Sequence, residues 1–136
     1  MKTSFVVTVD DCRHSDDAVD PRTPGFGEHL PFHTLLQRCG LAWRGYLASL
    51  PHLTSSGIVP RIDAQFLSEA QPGHLDIETR LTKLGNTSFS LRCDVSQGSR
   101  AVAVVDVVLV NFDYEARRPV PLTAAQRSVL HGELMA

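Results

Sequence analysis

The sequence predicts an α+β fold in which one long helix lies across the concave side of a curved antiparallel sheet of about five strands. Three observations carry this. Apolar residues from Phe32 to Leu50 recur at three- and four-residue steps, the spacing of one broad helix face. Three later segments alternate apolar and polar residues, the spacing of strands with one dry side. One helix and one sheet, each with a single face to bury, satisfy each other.

Taken in chain order, Phe5-Val6-Val7-Thr8-Val9 is a β-branched run and predicts the first strand. From Arg13 to about Glu28 the chain carries Asp16, Asp17, Asp20, Pro21, Pro24, Gly25 and Gly27, which are turn residues and helix breakers. This loop around residues 13–28 is long for a compact domain and lies within a single domain of residues 1–136. Next comes the helix, whose stripe is Phe32, Leu35, Leu36, Cys39, Ala42, Trp43, Tyr46, Leu47 and Leu50, with Pro51 as its stop. Ile62, Ala64 and Phe66 open the alternating strands, followed by Leu75, Ile77, Thr79 and Leu81, then Phe89, Leu91, Cys93 and Val95. The run Ala101–Val110 is apolar on both faces apart from Asp106, which predicts a central or oligomer-facing strand. Thr123 is placed to cap a short terminal helix holding Val129 and Leu130.

Composition narrows the function. A chain of 136 residues with 43% hydrophobic and 21% charged residues can bury a core without disulfides or a structural metal. The net charge of -2 offers no basic surplus for a phosphate backbone, so nucleic acid is not expected as a partner. The apolar run Ala101–Val110 is far shorter than the ~20 residues of a membrane span, so no membrane association is expected. Met1-Lys2-Thr3-Ser4 leads straight into a strand with no apolar signal region, and the cytoplasm is the expected compartment. Cys12, Cys39 and Cys93 are odd in number and lack paired spacing; Cys39 and Cys93 read as small core residues. Cys12, His14 and Asp16 match no zinc spacing, and neither a nucleophile elbow nor a phosphate loop is present.

Several local motifs point further. Phe66-Leu67-Ser68-Glu69-Ala70-Gln71-Pro72-Gly73-His74-Leu75, then Thr79 through Phe89 with its Leu84-Gly85-Asn86 turn, then Arg118-Pro119-Val120-Pro121-Leu122 with Arg127 and Leu130, occur in an informative order. Together they resemble the hotdog-fold thioesterases of the 4-hydroxybenzoyl-CoA thioesterase type over nearly the whole chain. The first segment is similar to that family's F-x-x-P-A-x-x-G-D-x-L, with Glu69 in place of Pro and His74 in place of Asp. The family's D-x-D-x-x-G-x-V step is split here. Asp10-Asp11-Cys12 follows the strand, while the glycine step arrives only at Gly27-Glu28-His29-Leu30-Pro31-Phe32-His33, after an insertion of roughly ten residues.

The resemblance implies hydrolysis of an acyl-CoA or acyl-carrier-protein thioester by a homodimer or homotetramer, with no cofactor and no metal. Such chemistry needs a carboxylate and donors for an oxyanion. Asp11 holds the position of the family's catalytic Asp, with Asp16, Asp17 and Asp20 as substitutes if the loop folds back. A helix N-terminus supplies donors, so the backbone N–H groups of His29 and Leu30 are the oxyanion candidates. Glu28 and His33 flank the helix start as further catalytic candidates, and Phe32 and Asp106 are candidates for substrate binding. Glu69 reads as a strand-end charge. A non-catalytic acyl-CoA-binding protein is the alternative from another class, and a hydratase or dehydratase using His33 and Glu28 ranks below both.

Overall fold

The alternation in the second half of the chain does what its period requires. Leu75, Ile77, Thr79 and Leu81 point to one side and are buried, as are Phe89, Leu91, Cys93 and Val95 on the next strand. The structure is a computed structural model and describes residues 1–13, 22, 27–53 and 57–136. The insertion expected around residues 13–28, with Asp16, Asp17 and Asp20, lies largely outside the described residues.

The elements are β1 (Lys2–Val7), α1 (Val9–Arg13), α2 (Phe32–Ala48), β2 (Ile58–Phe66), β3 (Gly73–Leu84), β4 (Ser88–Gln97), β5 (Arg100–Val110), a small hairpin of β6 (Phe112–Asp113) and β7 (Arg118–Pro119), and α3 (Ala124–Met135). The main sheet has the order β1-β3-β4-β5-β2, with antiparallel neighbours throughout. Five strands and one long helix is the arrangement that the periodicity predicts. β5, the run apolar on both faces, sits between β4 and β2 with both edges paired.

α2 buries Leu35, Cys39, Ala42, Trp43, Tyr46 and Leu47, the residues of its predicted stripe, over β3 and β4. It ends at Ala48, two residues before the predicted limit of Leu50, and Ser49 closes it by donating to the carbonyls of Gly45 and Tyr46. α3 starts at a capping box: Thr123 Oγ1 accepts from Gln126 N–H while Gln126 Oε1 accepts from Thr123 N–H. Its Leu130 is fully buried, and Glu133 accepts a 2.7 Å bond from Tyr46 O–H that ties α3 to α2.

Two expectations change. The first strand stops at Val7 rather than Val9, because Thr8 and Asp11 form a reciprocal cap with Thr8 N–H donating to Asp11 Oδ2 (2.8 Å) and Asp11 N–H to Thr8 Oγ1 (3.0 Å). These local bonds outcompete the strand preference of a β-branched run and start α1. The second is β2. Ile62 and Phe66 point toward the inner side yet stay 45% and 47% exposed, because α2 lies mainly over β3 and β4 and covers this edge strand only in part. Pro60 and a register shift between Ile58 and Arg61 mark it as an edge, where a missing N–H costs no ladder bond. No helix among the described residues is long and apolar enough to cross a membrane.

Leu91 is fully buried on β4, in the core cluster that includes the α2 stripe. Leu91→Ala is expected to destabilise the fold by about 2–5 kcal/mol, read as a lower urea midpoint at unchanged slope.

Candidate active site

The start of α2 is chemically open. Its N-cap is Pro31, in extended backbone, and no side-chain hydrogen bond caps the helix. The first intrahelical bond runs from Leu35 N–H to Pro31 C=O at 3.0 Å. The N–H groups of Phe32, His33 and Thr34 therefore have no acceptor within the helix, at its positive end. A cleft of about 340 Å³ opens beside this end. Its walls are His29, Leu30, Phe32 and Leu35 on one side and Phe66 to Ala70, leaving β2, on the other. Phe32 and Phe66 meet edge to face at 6.2 Å, an aromatic corner exposed to solvent.

The segment from Leu67 to Gln71 is irregular but firmly held. Leu67 and Ser68 N–H both donate to Val102 C=O (2.8 and 3.1 Å), and Ser68 O–H donates to Ala101 C=O (2.7 Å). Arg100 donates to Ser68 Oγ, to the Glu69 carbonyl and to Gln97 Oε1. Gln97 in turn accepts from Gln71 N–H and donates to Gln71 C=O. Leu30 N–H donates to Ala70 C=O at 2.7 Å, fastening the segment before α2 to this loop. Arg100 and Gln97 bracket the β4–β5 turn, and nothing in their local sequence announces contact with residues some thirty positions away.

The predicted site residues scatter around this cleft. Asp11 caps α1 and lies 3.5 Å from Arg38 Nη2, outside the cleft lining. Leu30 lines the cleft, but its N–H is already given to Ala70, so it is not a free oxyanion donor. The donors without helical acceptors start two residues later, at Phe32. His29 lines the cleft with its imidazole, and its backbone N–H makes no hydrogen bond to another described residue. Phe32 lines it as expected. Glu28 and His33 are exposed and not among its lining residues; the His33 ring stands edge-on to Phe32 at 5.5 Å. Asp106 lies on the opposite face of the sheet. Its neighbours Val105 and Val107 point into the core, so alternation turns Asp106 outward, where Arg92 grips it through Nε (2.9 Å) and Nη2 (3.3 Å). A substrate-binding role for Asp106 in this cleft is therefore corrected to an outer-face ion pair. Glu69, read from sequence as a strand-end charge, is the carboxylate that lines the cleft among the described residues.

The Cys12 and Cys39 thiols are poor nucleophiles here. Burial, and then the Asp11 charge, push the Cys12 thiol up from its ordinary range. The hydrogen bond with Cys93, together with burial, pushes the Cys39 thiol up as well.

Comparisons with known proteins agree with the fold. The chain has the hotdog fold. Over residues 40–104 it matches the model of the thioesterase superfamily. A thioesterase from Thermus thermophilus, complexed with coenzyme A and zinc, superposes with a TM-score of 0.78 at 20% identity, covering 99% of this chain and 94% of that one. A probable thioesterase from Escherichia coli gives 0.77 at 16% identity, covering 98% of both chains. A 1,4-dihydroxy-2-naphthoyl-CoA thioesterase from Synechocystis gives 0.72 at 20% identity, covering 96% of this chain and 94% of that one. No curated protein matches the sequence.

Two expectations follow from these contacts. In the folded protein Cys12, Cys39 and Cys93, all buried, should resist a thiol reagent that labels them on unfolding, as mass spectrometry would show. Asp11→Ala should cost about 1 kcal/mol of stability through the lost cap, measured by urea unfolding.

Proposed function

We propose that this chain hydrolyses the thioester of an acyl-CoA or acyl-carrier-protein substrate in the cleft at the start of α2. The observation that carries this reading is the uncapped N-terminus of α2 opening on a cleft that also holds a carboxylate. A thioester carbonyl laid there would direct its oxygen toward the N–H groups of Phe32 and His33. Those donors stabilise the negative charge that grows as water attacks. The thioesterase-superfamily match over residues 40–104 and the shared fold support hydrolysis over the other chemistries considered. The aromatic corner of Phe32 and Phe66 favours an aryl or long alkyl acyl group. Acyl-CoA binding without turnover is the second reading, favoured by the engagement of Asp11 with Thr8 and Arg38 instead of with the cleft.

A second copy of the chain completes this picture. β2 ends the sheet with an edge that no other described strand pairs, and it carries exposed Ile62 and Phe66 beside the cleft. Pairing two such edges would cover both the free ladder groups and the apolar side chains. Phe66 would then stand where two subunits meet, and each cleft would gain a wall from its neighbour.

Thiol release from a panel of acetyl-, octanoyl- and benzoyl-CoA tests the activity. Turnover is expected to be faster for octanoyl- and benzoyl-CoA than for acetyl-CoA; binding of all three by calorimetry with no thiol released would favour the non-catalytic reading. Ile62→Lys is expected to shift the sedimentation coefficient from oligomer to monomer.

A further inference from the structure

We propose that Glu69 is the carboxylate that activates water in this cleft and that His29 positions it, an assignment that rests on the hydrolase reading above. Glu69 Oε1 lies 3.9 Å from His29 Nδ1. That nitrogen is closed off from solvent and has no hydrogen-bond partner among the described residues. A buried ring nitrogen left unpaired is costly, and the facing carboxylate is the group within reach to satisfy it. Both side chains line the cleft together with Phe32, whose N–H opens the run of α2 donors that have no acceptor within the helix.

The two residues arrive from opposite walls, and the bond from Leu30 N–H to Ala70 C=O sets the gap between them. Arg100 holds the Glu69 carbonyl and Val102 holds the residues just before it, so the backbone under the carboxylate is rigid. The Glu69 side chain itself is 68% exposed, leaving room for a water and a substrate. Asp11 offers no such room. One of its oxygens accepts Thr8 N–H and the other faces Arg38, both outside the cleft.

The step balances without any co-reactant but water. Glu69 takes a proton from water as the water oxygen bonds to the thioester carbon, and the carbonyl oxygen becomes an oxyanion at the start of α2. Collapse breaks the carbon–sulfur bond, and the proton held by Glu69 passes to the departing thiolate. The products are a carboxylic acid and a thiol. His29 acts through Glu69: an Nδ1–H directed at Oε1 limits the rotamers of a long, flexible side chain.

Four variants, E69Q, E69D, H29A and H29N, compared with D11N on benzoyl-CoA and octanoyl-CoA, test this. E69Q should lower kcat at least ~100-fold, with KM within about threefold of wild type and an unchanged melting temperature. E69D should recover part of the loss. H29A should lower kcat at constant KM, and H29N, which keeps a donor near the Nδ1 position, should recover part of it. Wild-type turnover that E69Q retains, or a larger kcat loss in D11N than in E69Q, overturns the assignment and leaves hydrolysis standing. An H29A enzyme with unchanged kcat removes His29 from the pair. Wild-type protein that releases no thiol from either substrate overturns the hydrolase reading and this assignment with it.

Discussion

Burial of the α2 stripe against the inner face of the sheet is the constraint on which the rest of the molecule depends. Leu35, Cys39, Trp43, Tyr46 and Leu47 can leave water only by lying on β3 and β4, whose inner residues Leu75, Ile77, Leu91, Cys93 and Val95 need the same cover. The axis of α2 is fixed by that contact, and with it the place of its N-terminus. Pro31 then leaves the first turn uncapped at the end of the sheet where β2 runs out. The catalytic possibilities of the chain are a by-product of where the core obliges the helix to begin.

Around that point hydrogen bonds make the chain rigid without forming regular elements. The segment after β2 has no strand or helix of its own, yet Val102, Ala101, Arg100 and Gln97 hold it residue by residue. A cleft with one wall made by the start of a helix and the other by a pinned loop keeps its width without covering its floor. On the far side of the sheet Arg92 and Asp106 belong to a polar row and neutralise each other. That contrast separates Glu69, which faces the cleft near an unpaired imidazole nitrogen, from the other carboxylates with described contacts.

β2 shows how an apolar pattern can be right about a face and still leave open what covers it. Ile62, Ala64 and Phe66 share the inner side with Val105 and Val107 through the register of β2 and β5, but α2 meets Phe66 only through its first residue, Phe32, and Ile62 and Phe66 stay half exposed. Periodicity reports which side chains favour burial; it carries no information on whether the cover comes from the same chain or another. The same limit explains Asp106, whose polar character in an apolar run drew attention to it while its parity sends it to the outer face.

Periodicity alone was enough for the long helix, the alternating strands and the helix-across-sheet arrangement, because the spacings that bury a helix stripe and a strand face are written locally in residues 32–50 and 62–110, and the capping residue Thr123 marked the terminal helix. Which polar groups meet around the cleft was not legible, since it depends on pairs distant in sequence: Leu30 gives its N–H to Ala70, Asp11 turns to Thr8 and Arg38, and His29 comes to face Glu69. Contacts of that kind exist only once the packed core has brought separate segments together, so they are properties of the folded whole and not of any window of residues.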